Sequence, residues 1–203
     1  MERKRLFDIN EALDTAMREF WQYGYDGTSI SRLCETIGIG KTSLYSVFNC
    51  KEELFERALT RYEQQYLRFM WEAVAAPTAY DVARLLIYGL IHTITLPDMP
   101  QGAFGVITGV ACAPECETIR QTLIEWRVSH EQMLIERFRR AKRDGDLEKG
   151  VRPEALAGFL LATNAGLAMQ AKAGLPRAAL DDIARVTLKI FPSASRLVRA
   201  PDS

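Results

Sequence analysis

The sequence predicts an all-α protein, and two observations support this. Apolar residues recur three and four positions apart along most of the chain, which is the spacing of one face of an α-helix. No segment shows the strict alternation of a half-buried β-strand, and glycines or prolines separate the periodic segments. The 203 residues suffice for one large domain or for a small domain followed by a larger one.

Three helices are predicted in the N-terminal quarter of the chain. The first covers residues 6–21, and Gly24 supplies a glycine of the kind that commonly ends a helix. Thr28 or Ser29 can cap the second helix by accepting a hydrogen bond from its first N–H groups, and this helix ends at Gly38. The third is short and is predicted for residues 41–47.

A fourth helix begins near Lys51 and is predicted to run towards Ala73, with Glu52 and Glu53 at the positive end of its dipole. After Pro77 the pattern predicts five more helices. The longest ends near Gly145 and carries one apolar stripe: Ile119, Leu123, Trp126, His130, Met133 and Phe138. Its basic cluster suits the negative end of a helix dipole, with a second nucleic-acid surface as the alternative, and comprises Arg137, Arg139, Arg140, Lys142 and Arg143.

The last two predicted helices have surfaces suited to helix pairing. Gly158, Ala162 and Gly166 lie four apart, and such small residues let two helices approach closely. The final helix is predicted to carry Leu180, Ile183, Thr187 and Ile190 on one face. This spacing also occurs in membranes, so a membrane helix is the alternative, but the chain has no run of 18 wholly apolar residues. We therefore expect no membrane partner.

Composition excludes several classes of protein. A hydrophobic fraction of 48% is typical of a folded chain, and 26 basic against 26 acidic residues give no net charge. Any contact with nucleic acid must therefore be local. The cysteines are too few for a disulfide scaffold, and the charged start lacks a secretory leader, so a cytoplasmic location is expected. With two histidines and no nucleophile–base spacing, no enzyme, cofactor or metal site is predicted.

The tripeptide Gly40-Lys41-Thr42 looks like the end of a phosphate-binding loop. That loop requires another glycine five positions earlier, where this chain has Glu35, and a buried strand before it. The preceding segment instead has helical spacing. The sequence therefore argues against a nucleotide hydrolase.

Residues 28–48 have the spacing of a helix-turn-helix, in which the second helix offers its N-terminal residues to the major groove of DNA. Lys41, Thr42 and Ser43 lie at that leading end and can reach base edges or phosphates. Tyr45 can lay its ring against the DNA backbone and donate its hydroxyl to a phosphate. The residues predicted to face the core are Leu44, Val47 and Phe48.

The segment FWQYGYDGTSISRLCETIGIGKTSLYSVFNCKEELFERAL resembles the N-terminal domain of the tetracycline-repressor (TetR) family of bacterial transcription regulators. The matching residues are Phe20, Gly24, Tyr25, Gly27, Thr28, Ser29, Gly38, Ile39, Leu44, Tyr45, Phe48, Lys51, Glu52 and Leu54. The resemblance implies phosphate contacts for Thr28, Tyr45 and Lys51. It implies that Lys41, Thr42, Ser43 and Ser46 lie in or near the groove.

The chain departs from the family pattern at two caps. Gly40 stands where the family usually has a serine, so the recognition helix lacks a good cap. Cys50 stands where the family usually has Ser, Asp or Asn, and Asn49 is the alternative cap there. Neither change removes an expected DNA contact.

The resemblance also implies an architecture. Residues 1–50 would form the helix-turn-helix domain, residues 51–75 a connecting helix, and residues 76–203 the effector-binding and dimerisation domain. The family forms Ω-shaped homodimers, with recognition helices roughly 34–36 Å apart and a four-helix bundle built from the last two helices of each subunit. Packing of the small-residue ridge inside one monomer is the alternative.

Several residues have both a functional and an ordinary interpretation. Tyr66, Met70, Phe104, Trp126, His130 and Met133 could line an effector pocket or simply form core. Cys112 and Cys116 could sense thiol oxidants or a soft metal, or be buried free cysteines. Arg3, Lys4 and Arg5 could grip DNA or be a solvated terminus.

The sequence thus predicts a ligand-responsive repressor whose partners are double-stranded operator DNA, a second copy of the chain and a small-molecule effector. One alternative is a thiol- or metal-responsive regulator that uses Cys112 and Cys116. Another is a helical small-molecule-binding protein with a vestigial DNA-binding head.

Overall fold

A computed structural model describes residues 7–109 and 116–191, and within these ranges it contains ten α-helices and no strand. The helices are α1 (Ile9–Tyr23), α2 (Ile30–Ile37), α3 (Lys41–Tyr45), α4 (Lys51–Tyr66), α5 (Arg68–Ala75), α6 (Ala79–Ile94), α7 (Phe104–Gly109), α8 (Glu117–Arg143), α9 (Pro153–Lys172) and α10 (Arg177–Leu188). The predicted all-α class is confirmed.

Short polar side chains and glycines set the ends of the first two helices. Asp8 caps α1, and its carboxylate accepts from the N–H groups of the two residues after Ile9 at 2.7 and 3.3 Å. Gly24 ends α1 as predicted, with φ 72°. Of the two predicted caps of α2, Ser29 is the one used, since its hydroxyl accepts from Arg32 N at 3.1 Å.

The chain forms two compact units. The first contains the described residues up to Gln65 together with the described residues between Phe104 and Ile124. The second contains Tyr66–Ala103 and the described residues from Glu125 onwards. These two units are defined by which residues pack together. The predicted boundaries at residues 50 and 75 are defined instead by the function that each segment has in the family, so they stay a prediction.

An aromatic cluster centred on Phe55 forms the core of the first unit. The ring of Phe55 meets three others edge-on, with centroid distances of 5.2 Å to Phe20, 5.4 Å to Tyr25 and 5.3 Å to Phe104. Edge-to-face pairs bring the positive edge of one ring to the negative face of another. Phe104, predicted for the effector pocket, is thus a fully buried core residue of this first unit.

The single helix predicted from Lys51 to Ala73 is wrong, because the chain breaks at Leu67 between α4 and α5. The hydroxyl of Thr93 on α6 lies 3.1 Å from Tyr66 O and 3.1 Å from Gly89 O, so it can donate to either. A carbonyl oxygen that accepts from a side chain does not need the backbone N–H four residues further along, so the helix can end there. The break is therefore stabilised by a residue distant in sequence.

The predicted apolar face of residues 180–190 is only partly buried. Leu180 and Thr187 are buried, whereas Ile183 and Ile190 are exposed together with Val186. Ile183 and Val186 lie three apart on α10 and form its exposed outer face, and Ile190 follows just after the end of the helix. On α9, the exposed large apolar residues are Phe159 and Met169.

The basic end of α8 divides in the same way. Arg137 is buried and donates to Ala76 O at 2.7 Å and to Pro77 O at 3.0 Å, and its burial lowers the pKa of the guanidinium. Arg139 is exposed and pairs with Glu136 and Glu154. None of the helices in the described ranges is long and apolar enough to cross a membrane.

Candidate nucleic-acid interface

A sharp turn joins α2 to α3. Gly38 has φ 78° and ψ 30°, the left-handed region that glycine adopts without steric cost. The N–H groups of Gly38 and Ile39 both donate to Cys34 O, at 2.9 and 3.0 Å. Gly40 then provides an extended residue before α3, with no side-chain hydrogen bond to cap the helix.

Helix α3 is shorter than predicted and ends at Tyr45. Its sole buried residue is Leu44, which anchors it to the first unit. Lys41 and Thr42 are exposed, and Ser43 is half-buried. Exposed polar residues thus precede the buried anchor of α3.

Two further predicted contact residues lie at the end of α3. Tyr45 is 43% exposed, so its phenol is accessible from outside the first unit. Ser46 is exposed and its hydroxyl donates to Ser43 O at 2.8 Å. The accessible phenol and hydroxyl therefore continue the polar surface of α3.

An ion pair that the sequence analysis missed holds α2 against α1. Arg32 donates to the carboxylate of Glu19, and its guanidinium lies 3.9 Å from the ring centroid of Tyr23. Because both partners come from α1, this arginine fixes the orientation of the first helix of the pair. No local sequence pattern signals the contact, since its partners are 9 and 13 residues away.

Thr28, predicted to contact a phosphate, is 0% exposed. Its hydroxyl donates to Gly24 O at 2.7 Å, and its N–H donates to Tyr25 O at 3.3 Å. In this conformation the side chain stabilises the turn between α1 and α2. Its phosphate contact stays a prediction.

Lys51 lies in a small network with Tyr25 and Glu52. The ammonium donates to Tyr25 O at 2.6 Å and lies 3.9 Å from the centroid of that ring. The phenol of Tyr25 donates to Glu52 at 2.7 Å, which lowers the pKa of that carboxyl. Burial, and then this hydrogen bond, raise the pKa of Tyr25. The network places the charge of Lys51 at the start of α4, and its predicted phosphate contact stays a prediction.

The residue that caps α4 differs from the alternative expected from the sequence. Cys50 itself takes the capping position, since its Sγ accepts from Glu53 N at 3.4 Å. Asn49, the predicted alternative, instead donates from its side chain to Glu53 at 2.5 Å. That hydrogen bond is the main reason why the pKa of Glu53 is lowered.

The remaining predicted pocket residues lie in the second unit. The imidazole of His130, 6% exposed, meets Trp126 edge-on at a centroid distance of 4.4 Å and Trp71 at 6.1 Å. Tyr66 directs its hydroxyl to the sulfur of Met99 at 3.8 Å. Met70 is buried and Met133 is half-buried. The role of these residues in effector binding stays a prediction.

The cysteine pair is only partly described. Cys116 lies 2.9 Å from an oxygen of Asp26, while Cys112 lies outside the described residues, as do Arg3, Lys4 and Arg5. Among residues 7–109 and 116–191, no group of three or more potential metal-binding side chains comes together. The thiol- or metal-sensing alternative therefore stays a prediction.

Comparisons with known proteins agree with this geometry. Residues 12–58 match the family model described as bacterial regulatory proteins, tetR family. The HTH-type transcriptional repressor ComR of Escherichia coli (strain K12) is 29% identical over 192 residues, covering 94% of this chain and 91% of ComR. DhaR, an HTH-type transcriptional repressor of Mycobacterium sp. (strain GP1), is 23% identical over 185 residues, covering 88% and 89%.

A solved structure shows the same arrangement at higher identity. It is a cysteine-substituted TetR family regulator, CifR, in complex with a 26-base-pair double-strand operator DNA. The two structures superpose with a TM-score of 0.88 at 34% identity, covering 94% of this chain and 100% of the other. The protein described here belongs to the TetR family of bacterial regulatory proteins.

Proposed function

We propose that the protein is a transcriptional repressor that binds double-stranded operator DNA through α3 and releases it when a small molecule binds the second unit. The observation that carries the proposal is the exposed polar side of α3, where Lys41 and Thr42 project from a helix anchored by Leu44. An α-helix of this kind fits the major groove of B-form DNA. The DNA complex of CifR, a relative of the same fold, supports this mode of binding.

The residues divide into two roles. Tyr45 and Lys51 are proposed to contact phosphates, which contributes affinity for any sequence. Thr42 and Ser43 are proposed to contact base edges, which contributes preference for one sequence. Lys41 can serve either role, because its ammonium reaches phosphates as well as guanine.

The experiment that tests these roles uses the duplex that the wild-type protein selects from a random-sequence library. Lys51→Ala should weaken binding to every sequence and reduce the slope of log K against log salt by about 0.9, since one phosphate contact is lost. Thr42→Ala should instead change the selected sequence, with a discrimination loss of about 1–3 kcal/mol at the affected base pair.

Matched controls lie in the second unit. Tyr80→Phe removes a phenolic hydroxyl as Tyr45→Phe does, and Lys149→Ala removes an ammonium as Lys51→Ala does. Both controls should bind DNA as the wild type does. If Tyr45→Phe and Lys51→Ala also leave affinity unchanged, the assignment of phosphate contacts is wrong.

A homodimer is part of the proposal, and the outer faces of α9 and α10 are its interface. Val186 is 64% exposed and lies next to the exposed Ile183 on α10, and neighbouring exposed apolar side chains of this kind mark an interaction surface. Space is open above Gly158 and Gly166, since an added Cβ would meet nothing within 4 Å. A second pair of helices could therefore approach α9 closely.

Sedimentation of one charged variant tests this interface. Val186→Glu should shift the protein towards monomer, because a carboxylate would be buried at the contact without a partner. Val128→Glu is the control, since Val128 is an exposed valine on α8 outside this face. A dimer that Val186→Glu leaves as stable as the wild type would exclude the interface.

Effector release follows from linkage. A ligand that binds more tightly to the conformation unable to bind DNA lowers DNA affinity by that same difference. The aromatic cluster of Trp71, Trp126 and His130 is the proposed location, because it joins apolar rings to one buried polar group. A screen of metabolites for a rise in melting temperature, made on the wild type and on His130→Ala, tests this location. A metabolite that raises the melting temperature of both proteins equally would show that the effector binds elsewhere.

A further inference from the structure

The direction of α3 depends on contacts at its ends. With five residues and one buried side chain, α3 is far shorter than the helices that are stable by themselves. The turn after it contains Val47, Phe48 and Asn49 and leads directly into α4. Whatever holds this turn also sets the direction in which α3 points.

Two side chains of α4 hold the turn at each of its three residues. Glu53 accepts from Asn49 N at 3.2 Å and from the Asn49 side chain at 2.5 Å. Arg57 donates to Val47 O at 3.4 Å, and its guanidinium lies 4.6 Å from the ring centroid of Phe48.

The two side chains also support each other. The carboxylate of Glu53 lies 3.5 Å from the guanidinium of Arg57, one helical turn further along α4. Both are part-exposed, so the ion pair alone is worth little. Their combined contacts, however, tie the exit of α3 to a long helix by backbone, ring and side chain together.

We propose that Glu53 and Arg57 are positioning residues that raise operator affinity by fixing the exit of α3, without contacting DNA themselves. The inference rests on the proposed function, since it assumes that α3 binds operator DNA. It assigns a favourable role to a carboxylate in the unit that faces DNA. Simple electrostatics assigns the opposite role, because a negative charge near phosphates weakens binding.

The variant Glu53→Gln separates these two views by the sign of its effect. It keeps the shape of the side chain but removes the charge that attracts Arg57. Positioning predicts that affinity for the selected duplex falls about fivefold, whereas electrostatics predicts equal or tighter binding. Glu35→Gln is the matched control, since it removes a carboxylate from an exposed position of α2 and should not weaken binding. Equal or tighter binding by Glu53→Gln overturns the proposal.

Arg57→Lys distinguishes positioning from a direct phosphate contact. Lysine retains the positive charge but cannot stack a planar group on Phe48 while donating to Val47 O. We expect about tenfold weaker binding with an unchanged salt slope. The proposal is overturned if Arg57→Lys binds with wild-type affinity, because lysine could keep a phosphate contact. It is also overturned if Arg57→Met lowers the slope of log K against log salt by about 0.9, because that loss identifies a phosphate contact.

Hydrogen exchange keeps the test independent of global folding. In Glu53→Gln and in Arg57→Lys, the amides of residues 46–49 should exchange faster than in the wild type, while those of α1 stay protected. If exchange in this turn is unchanged, Glu53 and Arg57 do not hold the turn, and the proposal is wrong even if DNA affinity falls. If the wild-type protein selects no duplex at all, the proposed function fails, but faster exchange in the variants would still show that Glu53 and Arg57 hold the turn.

Discussion

Replacing Gly24 by alanine should destabilise the protein more than replacing Gly38 by alanine. Both glycines have positive φ, but they lie in different regions of backbone space. Gly38, with φ 78° and ψ 30°, is left-handed helical, and Gly24, with φ 72° and ψ 179°, lies in a region that is essentially restricted to glycine. Space does not limit either position, since an added Cβ would meet nothing within 4 Å.

The expected cost is therefore that of the backbone alone. An alanine in the left-handed helical region costs about 1 kcal/mol. In the region of Gly24 the cost is about 2–3 kcal/mol, the upper part of the range for strained residues. For a chain of this size, about 2–4 °C of melting temperature is lost per kcal/mol.

Thermal unfolding followed by circular dichroism measures the difference. Gly40→Ala is the control, because Gly40 has an ordinary φ of −76° with open space around it. Its reduced unfolded-state entropy and its weaker capping oppose each other, so we expect a change within about 0.5 kcal/mol. The reasoning is refuted if Gly24→Ala melts no lower than Gly38→Ala.

Three other substitutions give independent checks by thermal unfolding. Arg61 lowers the pKa of Asp14 through two hydrogen bonds of 2.8 Å. The stability that this ion pair contributes is therefore fully present above the usual pKa of 3.8 and is lost as pH falls through the pKa of the folded protein. Asp14→Asn should thus cost up to about 1 kcal/mol at neutral pH and nothing in strong acid, and a pH-independent cost would contradict this. Gly89→Ala should destabilise by about 1–3 kcal/mol, because the added Cβ would overlap the ring of Phe69, and a higher melting temperature would exclude that packing. Cys50→Ser should raise stability by about 0.5 kcal/mol, since serine is the better cap, and a loss would show that Cys50 does not cap α4.

The helices of the helix-turn-helix segment were predictable because their signals are local. The glycines at 24 and 38 end α1 and α2 as their positions in the sequence indicate, and Ser29 caps α2. The spacing that placed Leu44 in the core also placed Lys41 and Thr42 on the outside. Such features depend on residues within one or two turns.

The features that the sequence did not predict depend on distant partners. Thr93 stabilises the break at Leu67 from 27 residues beyond Tyr66, and Tyr25 binds the ammonium of Lys51 from 26 residues before it. Hydrophobic periodicity reports which face of a helix is apolar but not which partner meets it. Phe104 illustrates this, since an aromatic side chain after a loop could equally have lined a cavity or filled the core.

One missed contact did have a local signal. Glu53 stands three residues after Cys50, which is the spacing of a capping box, in which the acidic side chain reaches back to a backbone N–H. The cysteine at the first position concealed the pattern, because sulfur is not a usual cap. With cysteine accepted as a capping residue, the same spacing predicts the contact.

The account depends most on contact between α3 and DNA, and hydrogen exchange with and without the selected duplex tests this directly. We predict that binding slows exchange at the amides of residues 41–47 and at the start of α4, while amides of the second unit facing neither DNA nor a partner copy change little. Slower exchange confined to the second unit, with residues 41–47 unaffected, would contradict recognition by α3.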